Sequence, residues 1–561
     1  MKKIIFLLGV FSVISASASL AIFKSDINFV HQLVVLFLYL FSLLLVVILW
    51  ILSLIPHFKI FRSVGILGLL CILILAVLTR FIFLTEYPFV SVGDELREPG
   101  FWALKVANGE VRNIFDYGSY EGYGMIIPAF TSIFYRIFGS SVLVYRLPAA
   151  LVSVANILLL YFLLSFLTKN KIGSFLGTMV LVSLPLHLFY SRTELIVILS
   201  SLFSLILLIS LYVFFRRKMN NLIDYIFLGS VIGFTFNLYA GIKAMGMVVF
   251  VLMIIFILYK VIFRKSGLVK SILSLSLFVT FTVVGFGPLM LKSNVINFLH
   301  TSRLPLVGKG TIYMNSKILF DIGNKYYESL LVWVAKPTIA WYPDHKPIFS
   351  PLLFSLMILG ILAGIIKKNR FLITIFIIFL ILHLTNSALT NLLNGDYRLS
   401  PLYPIGALFV GVGLALIFEE IRIRFWDHII AFMFFIILSF QTVFFFTDQP
   451  ANMARNIKDY LSMHTIYFIK DNRDLYTSKN LTLFVSPNNY QNLNLLHYKE
   501  QYCFFFPKWE IALKEDKKIG DNEIYIKNNE YGFYGKSYMI ECGRKNFYCP
   551  ASYNKNIIIH Y

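Results

Sequence analysis

Apolar residues in this chain run without interruption for about 20 positions at a time, the length a helix needs to cross a bilayer. The runs fall at roughly 4–22, 29–55, 64–83, 142–167, 172–190, 194–215, 222–238, 241–263, 268–290, 350–366, 371–388, 400–419 and 427–446. Short polar clusters separate them, so the pattern predicts an all-α polytopic membrane domain of about thirteen spans. Three polar stretches, 84–141, 291–349 and 447–561, are too long to be plain connections. They divide the chain into two N-terminal spans (1–63), a membrane domain (64–446) with two large loops, and a tail (447–561).

Each long stretch has its own pattern. The first predicts a short helix over 99–107, stopped by Asn108-Gly109, and then an amphipathic helix over 125–138 lying along the interface. The second carries Pro305, Pro337, Pro343 and Pro347 among aromatics, the make-up of a lid or binding loop. In the tail, an early helix (452–463) precedes β-rich runs at 465–469, 481–485, 523–526 and 557–559. That pattern predicts a small soluble α/β domain. At the other end, Lys2-Lys3, an apolar core and Ser15-Ala16-Ser17-Ala18 fit either a cleaved signal peptide or a retained span. The retained span is the preferred reading, and residue 29 onward keeps its orientation under both.

Composition agrees with the pattern: 58% of the 561 residues are hydrophobic, 17% aromatic and only 14% charged. A formal charge of +21 invites a nucleic-acid reading, but the cations are spread among connections. Lys59 and Arg62, Lys169 and Lys171, Arg216-Arg217-Lys218, Arg264-Lys265 with Lys270, Lys367-Lys368 with Arg370, and Arg422 with Arg424 fall on one face. The short connections of the other face carry Lys24, Arg192, Lys243 and Arg398. The positive-inside rule makes the first face cytoplasmic and puts the three long stretches outside. The charge is then a topology signal, with no nucleic-acid partner. No Gly-rich phosphate loop suggests nucleotide use inside the cell. No repeated halves suggest a secondary transporter, and polar residues within the spans read as few and unclustered, which disfavours a pump or channel. Cys71 lies in a span, while Cys503, Cys542 and Cys549 lie outside, where a Cys542–Cys549 disulfide is expected and Cys503 is left over.

The candidate chemistry begins at Val92-Gly93-Asp94-Glu95-Leu96-Arg97, just past a span. A carboxylate at the mouth of a span is costly unless paired or working. Asp94 fits a general base for an incoming hydroxyl, with Arg97 three residues on able to grip a phosphate. The same residues also fit a helix cap paired within its own turn. Glu121, in Ser119-Tyr120-Glu121-Gly122-Tyr123, is a second candidate for base, orienting group or metal ligand, with Asp116 a weaker competitor. Arg146, Arg192, Lys243 and Arg398 at outer ends of spans fit a lipid phosphate or simple interfacial snorkelling. His345 fits a metal ligand or a rim residue.

These pieces resemble a known group. Asp94-Glu95-Leu96-Arg97, Ala107-Asn108-Gly109, Tyr120-Glu121, Ile133-Phe134-Tyr135-Arg136-Ile137-Phe138-Gly139 and Tyr145-Arg146-Leu147-Pro148-Ala149-Ala150 look like the first outer loop of GT-C membrane glycosyltransferases. The nearest types are the protein O-mannosyltransferases and the bacterial lipid A aminoarabinose transferase. Ser191-Arg192-Thr193-Glu194 and Arg398 before Pro401-Leu402-Tyr403-Pro404 are similar as well. The resemblance covers roughly 64–446 and leaves the first two spans and the tail outside it.

It implies an inverting hexosyl- or pentosyltransferase of the bacterial inner membrane. The donor would be a sugar on a polyprenyl phosphate, and the acceptor a lipid, glycan or protein at the outer face. By position, Asp94 resembles the catalytic loop aspartate and Arg97 an arginine near the lipid phosphate, with Glu95, Arg192, Lys243 and Arg398 completing the substrate set. Glu121 resembles a second loop acid that helps hold a divalent metal (Mg, Mn or Zn), with His345 a further candidate ligand. The relative has Lys-Pro after that acid where this chain has Gly122-Tyr123, a departure at the phosphate-binding position for which Lys243 or Arg398 could compensate. The competing reading is a non-catalytic polyprenyl-linked sugar carrier or flippase.

Overall fold

The computed structural model describes residues 2–22, 29–54, 65–85, 87–88, 100, 102–111, 125–139, 141–193, 195–264, 268–288, 316–338, 346–389, 393, 395–420, 424–453, 482–485, 510–513, 523–528, 538–542 and 545–549. Where they are described, the apolar runs of the sequence fall on helices. In order these are α1 (Lys2–Ile22), α2 (Phe29–Leu54) and α3 (Ile66–Phe81), then α4 (Ala103–Ala107) and α5 (Ile126–Phe138) in the first loop. There follow α6 (Val142–Thr168), α7 (Lys171–Ser183), α8 (Pro185–Thr193), α9 (Leu195–Arg216), α10 (Leu222–Thr235), α11 (Ala240–Arg264) and α12 (Leu268–Phe286). The second loop holds α13 (Ser316–Leu331); after it come α14 (Pro351–Ile366), α15 (Arg370–His383), α16 (Asp396–Leu399), α17 (Tyr403–Glu420) and α18 (Arg424–Met453).

Among the described residues, 8 helices are long and apolar enough to cross a membrane, or 9 if α7 and α8 count as one span bent by 59°. The chain is therefore a multi-pass helical protein. Runs such as α3, α10 and α14 are apolar but shorter than a full crossing. The bend has a local cause. Leu184 is held extended by the proline after it, and Pro185 opens α8, where a missing N–H costs nothing.

Two compact units are distinguished: one of Met1–Ile82, Val111–Ile127 and Leu147–Phe445, the other of Phe83–Glu110, Pro128–Arg146 and Phe446–Tyr561. The first holds the helical core. α17 is apolar around its whole circumference and almost all its residues are buried, as expected of a helix enclosed by others. Close helix approach comes from small residues: a Cβ on Gly177 of α7 would collide with Gly411 of α17, and one on Gly233 of α10 with the Thr282 carbonyl of α12. The N-terminal hairpin is part of this core. Ser12 and Ser15 of α1 donate to the Ser42 and Leu38 carbonyls of α2 (2.9 and 2.7 Å), and Tyr39 Oη of α2 donates to Gly285 O (2.6 Å).

In the second unit, α4 ends as the sequence predicts. Gly109 takes the left-handed conformation (φ +76°), Gly109 N–H donates to Val106 O (3.1 Å), and Arg136 of α5 adds a bond to the same carbonyl (3.3 Å). The tail strands are β1 (Thr482–Val485), β2 (Glu510–Leu513), β3 (Glu523–Asn528), β4 (Tyr538–Cys542) and β5 (Lys545–Cys549). They form one sheet in the order β2-β1-β3-β4-β5, with β1 parallel to β2 and β3 and the remaining pairs antiparallel. β1 and β3 fall on the expected runs at 481–485 and 523–526. The runs at 465–469 and 557–559 lie outside the described residues, as does the expected helix beyond Met453.

The expected Cys542–Cys549 disulfide does not fit the register. Cys542 faces Lys545 and Cys549 faces Tyr538, at opposite ends of the hairpin. Their Cα atoms are about 13 Å apart at ~3.3 Å of rise per residue, against a limit of ~7 Å for a bridge.

Candidate functional site

Asp94, Glu95, Arg97, Asp116, Glu121 and His345 lie outside the described residues. Arg146, Arg192, Lys243 and Arg398 lie within them, and they sort into two kinds.

Arg192 and Arg146 serve the backbone. Arg192, fully buried on α8, donates from Nη1 to Thr79 O (2.8 Å) and Arg80 O (3.2 Å) and from Nη2 to Ile82 O (2.7 Å). The last carbonyls of a helix have no partner within it and carry the negative end of its dipole, so a guanidinium there is stabilised twice over. Arg146 Nη1 donates to Leu84 O (2.9 Å) in the same manner. The geometry gives Arg192 the task of holding the end of α3.

Arg80 repeats the device in the opposite direction. It too is fully buried, and from α3 it donates Nη1 to Val182 O (2.7 Å) and Nη2 to Leu181 O (3.3 Å), the carbonyls released where α7 breaks before Pro185. Nε reaches Ser153 Oγ (3.1 Å) and Nη2 meets His187 Nδ1 (3.0 Å). Since arginine can only donate, His187 Nδ1 is the acceptor and Nε2 carries the proton. Polar side chains within the spans are thus clustered, contrary to the sequence reading. Many of their partners are backbone carbonyls, which leave no mark in a sequence. The signal that was available was Arg80 itself, the single charge in the run 64–83.

The second kind lies where α15 gives way to a π-helical turn, Leu384–Ala388. Such wide turns recur at functional sites. This one carries Asn386, whose Nδ2 donates to Gly241 O (3.1 Å) and to Arg398 O (3.2 Å). One amide therefore ties the start of α11, the π turn and α16 together, and with them the segments bearing Lys243 and Arg398. Gly241 permits the approach: a Cβ there would stand 2.6 Å from Arg398 O. Tyr239 and Tyr397 meet edge to face at 5.7 Å between centroids, and the Arg398 guanidinium lies 5.7 Å from the Tyr397 ring. Arg398 is 7% exposed, yet its Nη1 has no hydrogen-bond partner among the described residues, and neither does Ser400 Oγ two positions on. A buried guanidinium N–H left unspent costs free energy until an oxygen, best an anionic one, accepts it. Sequence reasoning found Lys243 and Arg398 but missed Asn386 and Gly241; an asparagine inside the apolar run 371–388 was the available sign.

Among the described residues no group of three His, Cys, Asp or Glu side chains could hold a metal ion. The candidate ligands Glu121 and His345 lie outside those residues.

The comparisons bear on the same elements. Residues 124–286, from α5 to the end of α12, match the family model described as dolichyl-phosphate-mannose-protein mannosyltransferase. That match bears out the resemblance to this type of glycosyltransferase, and it begins after the pieces bearing Asp94 and Glu121. No curated protein matches the chain. Among solved structures the chain is similar to ArnT from Cupriavidus metallidurans, solved bound to undecaprenyl phosphate. Identity is 12%, the likeness covers 79% of this chain and 85% of that one, and the TM-score is 0.48.

Proposed function

We propose that this protein is an integral-membrane inverting glycosyltransferase, moving a sugar from a polyprenyl-phosphate donor to a lipid, glycan or protein acceptor at the outer face of a bacterial inner membrane. The mannosyltransferase match over residues 124–286 is the observation that carries this reading. The unspent Arg398 N–H beside the segment of Lys243 supports it, because such a reaction must receive a phosphate.

In the proposed reaction the acceptor hydroxyl or amine attacks the anomeric carbon as the sugar–phosphate C–O bond breaks. Asp94 takes the acceptor proton, and the bond pair leaves with the polyprenyl phosphate. Arg398 and Lys243 meet the charge that grows on the leaving oxygen, with Arg97 and Glu95 completing the donor site. Displacement in one step inverts the anomeric centre and requires no covalent intermediate. Glu121 orients the acceptor; with His345 it is also the place for a divalent ion, though no step here depends on one. The tail domain lies on the same outer side.

The test is turnover. Purified protein given a mannosyl-phosphoryl polyprenol releases free polyprenyl phosphate on addition of acceptor, and Asp94→Asn abolishes release while expression and membrane insertion persist. Tight donor binding by the natural protein without release would favour a sugar carrier or flippase instead.

A further inference from the structure

On the face that the distribution of Lys and Arg predicts to be cytoplasmic, the ends of α6 and α9 and the start of α15 enclose a cavity of about 410 Å³. Its lining divides by chemistry. Leu167, Phe215 and Phe371 give an apolar wall, while Arg216, Lys218 and Arg370 supply three cations with no carboxylate among the lining residues. The neighbouring Arg217 behaves differently: it is neutralised by Asp224 at 2.8 Å and also holds Ser53 O of α2 (2.7 Å). The sequence run Arg216-Arg217-Lys218 is thus split between one structural cation and two that line an open space.

The cavity is built rather than incidental to flexible side chains. Tyr212 braces its wall, donating to Phe166 O of α6 (2.9 Å) and meeting the Phe371 ring edge-on at 5.3 Å. Lys218 and Met219 both take left-handed backbone conformations (φ +53° and +59°), which side-chain-bearing residues adopt at a cost. The turn is fixed there by Tyr225 Oη (3.1 Å) and Lys260 Nζ (2.7 Å), both donating to Met219 O. Asn369 caps α15 through Phe371 N–H and Leu372 N–H, setting Arg370 at the first turn.

Cations alone would suit any anion. Cations against an apolar wall, at the level where spans meet water, suit an anion carrying hydrocarbon. We propose that this cavity binds the phosphate headgroup of an anionic phospholipid from the adjoining leaflet. Arg216, Lys218 and Arg370 hold the phosphate, and the first chain carbons lie against Leu167, Phe215 and Phe371. The site lies in the connections opposite those bearing Lys243 and Arg398, and it does not depend on the glycosyltransfer reading.

The experiment is native mass spectrometry of the full chain in neutral detergent, titrated with phosphatidylglycerol, phosphatidylcholine or inorganic phosphate. Phosphatidylglycerol is expected to remain bound where phosphatidylcholine does not, and inorganic phosphate is not expected to displace it. Arg216→Gln, Lys218→Gln and Arg370→Gln should each weaken retention about fivefold, from ~1 kcal/mol per cation near a lipid headgroup, and together abolish it. Leu167→Trp, which fills the cavity and keeps every charge, should release the lipid as well; thermal unfolding without lipid checks that each variant folds. The proposal is overturned if the triple variant keeps the lipid, or if Lys169→Gln with Lys368→Gln, cations of the same face outside the cavity, lowers retention equally. Displacement by inorganic phosphate alone would overturn it too, leaving an anion site with no role for the chain.

Discussion

Arg80 and Arg398 are both arginines buried in the helical unit, and both sit where a helix is interrupted. They differ in what their donors do. Arg80 spends Nε and both terminal nitrogens on Ser153, on carbonyls at the broken end of α7 and on His187. Arg398 faces an interruption of similar kind, the π turn, but there Asn386 serves the carbonyls and leaves an Arg398 nitrogen unspent. Charge and burial alone would class the two together. The accounting of donors separates a residue that completes the architecture from one with a donor left over.

The sharpest way to break this contrast is to remove each cation and measure stability and turnover side by side. Arg80→Leu strands two carbonyls, Ser153 and His187 in a dry interior, and is expected to cost about 3–5 kcal/mol, seen as a lower unfolding temperature and poor recovery of monodisperse protein. Arg398→Gln should leave the unfolding temperature nearly unchanged while sugar transfer falls about a hundredfold or more, the scale of losing one donor to a developing anion. Equal stability losses in the two variants would erase the distinction. Gly241→Ala sharpens it further, since the added methyl presses on Arg398 O without touching any charge. It should cost about 1–2 kcal/mol and lower transfer about tenfold, less than Arg398→Gln, because the guanidinium is displaced rather than lost.

The helices were legible in the sequence because apolar length alone dictates them in a membrane. The run starts read at 172, 222 and 371 fall within one residue of the observed ones, where Asn170, Asn221 and Asn369 each accept a backbone N–H. The break at Pro185 was present in the sequence but was read through, as one span over 172–190. The π turn was absorbed in the same way, because 371–388 is apolar throughout except at polar positions such as Asn386. At the candidate site, Lys243 and Arg398 could be named from their place at the ends of spans, but not joined, since an asparagine bridging two carbonyls has no fixed spacing. Arg192 was legible as a cation, but its hold on the end of α3 was not, because those partners are main-chain oxygens. The cysteine pairing failed because spacing along the chain says nothing of strand register.

The docking of α2 has a consequence for biogenesis. Tyr39 finds its acceptor, the Gly285 carbonyl, 246 residues further along the chain. At ribosomal rates of ~5–20 residues per second, roughly 10–50 s pass between synthesis of Tyr39 and of that partner. The serine contacts between α1 and α2 join segments only about 30 residues apart, so they have no such wait.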